Sequence, residues 1–121
     1  MHYPRLLAGI AALIGVAGTA GAHPKLLSAS PAPNATVSKP VRLELHFSEP
    51  LMASFSKASL MMAMPGHAPM KIASATAAGS DGRTLVLTPR RPLGPGRYRV
   101  DWHAVSVDTH HLSGNYAFAV K

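Results

Sequence analysis

His23 follows Ala20-Gly21-Ala22, a run of small residues of the kind a signal peptidase recognises. Cleavage after Ala22 would leave histidine as the first residue of the mature chain. Such a residue offers two nitrogen donors, the α-amine and the imidazole Nδ1, which can close a chelate ring on a divalent metal. The amine exists only after cleavage, so export itself would create the donor set. Asp108 and His110 stand two positions apart in Val107-Asp108-Thr109-His110-His111-Leu112-Ser113-Gly114. In an extended chain that spacing directs both side chains to one side. Alone, such a pair is more often a carboxylate hydrogen-bonded to a loop histidine. Joined to a terminal histidine it completes two imidazoles, an amine and a carboxylate. That N3O set suits tetragonal Cu(II), which the Irving–Williams order favours over zinc.

A second group has softer donors. Met61-Met62-Ala63-Met64-Pro65-Gly66-His67-Ala68-Pro69-Met70 contains four methionines and one histidine around a Pro-Gly turn. Met61 and Met62 adjoin a strand and suit a core equally well, since methionine commonly fills packing gaps. Met64, His67 and Met70 lie in a loop that contributes little to a core. Thioethers stay unprotonated, and two or three of them with an imidazole match Cu(I). Glu49, in Phe47-Ser48-Glu49-Pro50, is either a solvated turn residue or one more oxygen ligand near the terminal histidine. His46 and His103 occupy polar positions of alternating strands and read as exposed, non-ligating residues; His111 should face away from His110. A Gly-x-Ser-x-Gly elbow, a phosphate-cradling glycine loop and paired carboxylates for glycoside chemistry are all missing from the sequence.

The elements that must position these donors are short. Pro31, Pro33, Pro40, Pro50, Pro65-Gly66, Asp81-Gly82, Pro89, Pro92, Gly94-Pro95-Gly96 and Gly114 punctuate the chain. Between them Val41, Leu43, Leu45 and Phe47 alternate with polar residues, as do Tyr98, Val100 and Trp102, and Tyr116, Phe118 and Val120 recur at the same period with alanines between them. Thr84–Thr88 is a compact β-branched run, and Ser59–Met62 and Lys71–Ala75 are weaker segments of the same kind. The pattern predicts one all-β domain, an immunoglobulin-like Greek-key sandwich or barrel of about seven strands, with function at strand ends and loops.

Residues 1–22 read as a secretory signal: Arg5 in the charged region, Leu6 to about Val16 apolar, and the small cleavage residues. The apolar stretch is short and glycine-interrupted for a bilayer span, which argues against a retained anchor. The division expected is 1–22 signal peptide and 23–121 a single β-domain, 99 residues long, with no stable membrane insertion. Absence of cysteine removes disulfides and thiolate metal sites, leaving imidazole, carboxylate and thioether as donors. The mature part keeps 11 of the 12 Lys and Arg against 5 acids. These charges are scattered, without a patch interleaved with stacking aromatics, so nucleic acid is not an expected partner.

With these residues together, the chain resembles the CopC family of bacterial periplasmic copper-binding proteins over essentially the whole mature region. The resemblance is carried by His23-Pro24-Lys25-Leu26, Ser30-Pro31, Leu45-His46-Phe47-Ser48-Glu49-Pro50-Leu51 and Ala63-Met64-Pro65-Gly66. It continues through Tyr98-Arg99-Val100-Asp101-Trp102, Asp108-Thr109-His110, Gly114 and Tyr116-Ala117-Phe118. It implies a Greek-key barrel with Cu(II) on His23, Asp108 and His110, joined in some members by Glu49. It also implies Cu(I) on Met61, Met64, His67 and Met70. Copper resistance, and transfer of copper to an inner-membrane partner of the CopD type, are implied in the same way. The chain departs from the family pattern in two places. The loop lacks a methionine often found between Pro-Gly and the histidine, a gap Met62 is placed to fill. His111 stands where proline is common.

The resulting expectation is a periplasmic protein that carries or buffers copper and is not an enzyme. A histidine-brace copper oxidase or monooxygenase is the chief alternative. It is disfavoured because 99 residues leave little room for a substrate platform and Asp108 would fill a position oxygen needs. A metal-free immunoglobulin-like interaction module is a third reading, in which Met and His would be packing residues.

Overall fold

The computed structural model describes residues 24–121, so His23 and the expected signal segment lie outside the described residues. Two antiparallel layers enclose one core. The first holds β1 (Leu26–Ser30), β3 (Leu43–Phe47), β7 (Thr84–Pro89) and β6 (Ser74–Ala78), in the order β1-β3-β7-β6. The second holds β2 (Thr36–Val37), β9 (His111–Val120), β8 (Gly96–Val105), β4 (Lys57–Met62) and β5 (Met70–Ile72), in the order β2-β9-β8-β4-β5. Among the described residues only β2 pairs in parallel, along the end of β9. Among the described residues no helix is long and apolar enough to cross a membrane.

Side-chain alternation explains the layers. Leu43, Leu45 and Phe47 point inward from β3, and Leu85 and Leu87 from β7. Tyr98, Val100, Trp102 and Ala104 from β8 meet Tyr116, Phe118 and Val120 from β9. Intervening Arg97, Arg99, Asp101 and His103 take the outer face, as period-two geometry requires. Ring contacts knit the core, among them Phe47 edge-on to Trp102 at 5.1 Å and Tyr98 stacked on Phe118 at 5.5 Å.

The all-β sandwich is as expected, but the described residues form nine strands where the pattern predicts about seven. Neither β1 (LLSAS) nor β2 (TV) carries enough apolar alternation to be read alone; each exists through pairing with β3 or β9. The run Lys71–Ala75, predicted as one strand, is split between β5 and β6. At Ala73 the chain leaves one sheet for the other, and the Ala73 carbonyl accepts from Arg90 N in register with the β6–β7 ladder.

For the site, the ten-pair ladder between β8 and β9 matters most. It runs from Gly96 opposite Val120 to Val105 opposite His111, and Ser106–His110 closes it at one end. β4 lies along β8 with Lys57 opposite His103 and Met62 opposite Tyr98. The β4–β5 loop therefore projects from the far end of the barrel.

Candidate metal centre

Ser106 organises the loop between β8 and β9. It is almost fully buried (1% exposed), where a polar side chain needs partners. Its N–H donates to the His110 carbonyl at 2.9 Å, and its carbonyl accepts from Thr109 N at 2.9 Å. Its hydroxyl donates to Asp108 Oδ1 and accepts from His110 N. Thr109 has φ 71°, a left-handed conformation uncommon for a β-branched residue and imposed here by the tight turn. Asp108 Oδ1 consequently lies 3.3 Å from His110 Nδ1, with 44% of each side chain exposed. The sequence suggested that the two would meet through strand alternation; they meet because the chain turns. The Ser106 hydroxyl, and after it His110, hold the Asp108 carboxyl below the usual carboxylate range. Asp108 is thus an anionic oxygen donor beside an imidazole, both within reach of solvent ions.

Backbone hydrogen bonds bring two other chain segments to this end. Val107 N donates to the Pro50 carbonyl at 3.1 Å, and Leu51 bridges Ser106. One step back, Ser48 N donates to the Lys25 carbonyl at 2.8 Å, and Lys25 N donates to Ser48 Oγ at 2.9 Å. Glu49 lies between Ser48 and Pro50, half-buried, with no side-chain hydrogen bond or ion pair among the described residues. Pro24 is fully buried against the same end. Asp108, His110, Glu49 and the entering N-terminal segment therefore share one end of the barrel. Among the described residues no group of three or more His, Asp or Glu is assembled for a metal. Any centre here would have to be completed by His23, which lies outside them.

The methionine loop is built differently. His67 N donates to the Met64 carbonyl at 2.8 Å across Pro65-Gly66, and Gly66 has φ 78°. Proline at the second position and a left-handed glycine at the third match a type II turn, which brings Met64 and His67 within about 7 Å at Cα. Met62 and Met70 are opposite each other across β4–β5, Met62 packed against the core and Met70 exposed. Met61 is opposite Lys71 and Arg99 on the outer face. Register thus makes Met62, not Met61, the cross-strand neighbour of Met70. From Met62, opposite Tyr98, to the end of β8 at Val105 is seven residues. At the rise of a strand this puts the two donor groups about 20 Å or more apart.

The other histidines are not simply solvated. His46 Nδ1 is 3.0 Å from Thr84 Oγ1, and its Nε2 is 3.7 Å from Glu44. His103 and His111 lie side by side on the outer face. The residue that sequence reasoning missed is Ser106. A serine two positions before an aspartate carries no signal until its burial is known.

A two-layer β-sandwich with a carboxylate–imidazole pair at one end and a thioether loop at the other defines a small all-β protein with two separate donor groups. The CopC domain model matches residues 26–121. The chain is 50% identical over 109 residues to copper resistance protein C of Pseudomonas syringae pv. tomato, covering 88% of this chain and 86% of that protein. It is 47% identical over 113 residues to the Escherichia coli protein of the same name, with 90% of each covered. Its fold superposes with a TM-score of 0.78 on the crystal structure of PcoC, a methionine-rich copper resistance protein from Escherichia coli. That match has 48% identity and covers 83% of this chain and all of that one. The chain belongs to the CopC family.

Proposed function

We propose that this is an exported copper-binding protein that carries or buffers copper for resistance and homeostasis, without turning over a substrate. In this reading a signal peptide, residues 1–22, is removed after Ala22 in transit to the periplasm. The mature domain, residues 23–121, binds Cu(II) through His23, Asp108 and His110, with Glu49 as a further oxygen donor. Cu(I) binds in the methionine loop through Met64, His67 and Met70, with a further thioether from Met61 or Met62. Copper then passes to an inner-membrane acceptor of the CopD type.

The observation that carries the reading is the convergence at one end of the barrel. Lys25, Ser48–Pro50 and the Ser106–His110 turn are tied together by main-chain hydrogen bonds, next to buried Pro24. Only there can a terminal amine and imidazole meet a preorganised carboxylate–imidazole pair. Chemistry supports the division of labour. Nitrogen and carboxylate donors favour Cu(II) and thioethers favour Cu(I), so the two ends would hold the two oxidation states of one metal. The names of the relatives support the copper assignment.

Desalting tests the reading. The exported protein should retain one equivalent of Cu(II) and, under reductant, one of Cu(I). Asp108→Ala should remove only the former and Met64→Ala only the latter. Retention of neither ion by the unaltered protein would overturn the assignment.

A further inference from the structure

The outer face of the β8–β9 ladder carries a second pair of imidazoles that the centre proposed above does not use. His103 is opposite Ser113 and Val105 is opposite His111, so His103 and His111 are diagonal neighbours on one face. Their ring centroids are 5.4 Å apart with planes inclined by 44°, and His103 Nε2 lies 3.4 Å from His111 Nδ1. His103 Nδ1 is 2.8 Å from Ser113 Oγ. That hydroxyl occupies one ring nitrogen and turns the other toward His111. A histidine metal ligand typically has this arrangement, with its second nitrogen held by an outer partner that fixes tautomer and ring orientation.

The nitrogen separation has chemical meaning. Two imidazole nitrogens bound at about 2.0–2.1 Å to a tetrahedral ion stand about 3.3–3.4 Å apart. The pair already has that spacing, on a ten-pair ladder that needs no backbone rearrangement to present it. His111 is exposed and His103 half-exposed, which leaves remaining coordination positions to water. Lys57 is opposite His103 on β4, an exposed flexible arm whose charge opposes a cation and weakens the site without blocking it.

We propose that His103 and His111, oriented by Ser113, form a second, weaker binding site for imidazole-preferring divalent ions, Cu(II) foremost and Zn(II) next. The site is distinct from the centre at Asp108 and His110. His111 is the residue after His110, so an ion held on the outer face waits one residue from the terminal centre. It is positioned as an entry port for Cu(II) and is separate from the thioether loop at the far end.

Zn(II) is the probe of choice because it is redox-silent and does not favour thioethers. In a Zn(II) titration of the mature protein followed through its imidazole resonances, those of His103 and His111 should shift together with one midpoint. His110 should shift with its own. Loss of one arm of a two-donor site forfeits the gain from linking them, about 100-fold or more. His103→Gln should therefore raise the Zn(II) concentration needed to shift His111 by that factor. Ser113→Ala should raise it about tenfold through loss of ring orientation. Asp108→Ala should weaken the His110 response and leave the His103–His111 midpoint in place, so failure of the terminal centre and failure of this pair are read separately. Shifts confined to His110, or an unchanged His111 midpoint in His103→Gln, would overturn the proposal.

Discussion

Gly114→Ala is the substitution whose effect the structure constrains most tightly. Gly114 is opposite Trp102 in the β8–β9 ladder, and the indole lies over it. A methyl there would sit 2.5 Å from Trp102 Cζ2, 2.9 Å from Cε2 and 3.2 Å from Cη2. Carbon contacts are comfortable at about 3.5–4.0 Å, so the ring must retreat by about 1 Å. It cannot do so freely, because Phe47 is packed edge-on behind it and Trp102 is buried. Overpacking of this kind costs about 1–3 kcal/mol. Loss of glycine freedom in the unfolded chain offsets about 0.4–1 kcal/mol. The net expectation is destabilisation by about 1–2 kcal/mol, or a fall in Tm of about 4–16 °C for a domain of this size. Trp102 is the only tryptophan, so its emission reports both the unfolding transition and the displaced ring. Because Gly114 is three residues past His111, the displaced ladder should also loosen the Ser106–His110 turn and weaken Cu(II) binding. Trp102→Phe, which removes the clashing atoms, should make Gly114→Ala nearly neutral in a double-mutant cycle followed by circular dichroism. A urea midpoint for Gly114→Ala within about 0.5 kcal/mol of the parent, with unchanged emission, would refute the packing argument.

Ser106→Ala removes the hydroxyl that serves both Asp108 and His110 N; Cu(II) affinity should fall about 10–100-fold with Cu(I) affinity unchanged, measured by competition with chelators. Imidazoles and α-amines shed protons near ~6.5 and ~7.7–8.0 in unperturbed peptides, so Cu(II) affinity should decline from pH 8 to 5. Asp108 stays ionised throughout that window because its folded pKa is lowered; its native contacts weaken only as acid takes the pH below the ordinary carboxylate range. Asp108→Asn should therefore reduce affinity at every pH without changing the slope of log affinity against pH between 5 and 8, and a changed slope would contradict this. Tyr98 and Tyr116 offer a matched pair: the Tyr98 hydroxyl donates to the Gly94 carbonyl at 2.7 Å, whereas the buried Tyr116 hydroxyl finds no partner among the described residues. Tyr98→Phe should cost about 0.5–1.5 kcal/mol and Tyr116→Phe close to nothing, in thermal melts. Burial also pushes Tyr116 up to about 12 and raises Tyr98, so the folded domain should show less phenolate absorbance at pH 10 than the unfolded chain. Stability should be intact below that pH and fall as it rises toward 12, since the unfolded chain loses its phenolic protons first.

What could be read from the chain divides along physical lines. Leu43–Phe47, Tyr98–Trp102 and Tyr116–Val120 announce themselves because each buries one face, and period-two alternation is the direct trace of that burial. Pro65-Gly66 announces its turn because few residue pairs tolerate the backbone there. β1, β2 and the break at Ala73 leave no such trace, since partners distant in the chain hold them in place. The donors were legible as residue types, but their grouping was only partly so. Asp108 and His110 meet through a turn held by buried Ser106, not through strand geometry. Met61 and Met62 are adjacent in sequence and opposite in facing, which only the register against Met70 and Lys71 reveals. His103 and His111 are eight residues apart and look solvated until the ladder sets them side by side.

Cu(II) electron spin resonance of the exported protein, compared with the same protein carrying one extra residue before His23, bears most directly on the copper centre. A tetragonal signal with nitrogen couplings from the amine and two imidazoles is expected for the first. In the second that signal should be lost or greatly weakened, while Cu(I) retention stays unchanged. Identical Cu(II) spectra and affinities for the two proteins would mean that the terminal histidine is not a ligand.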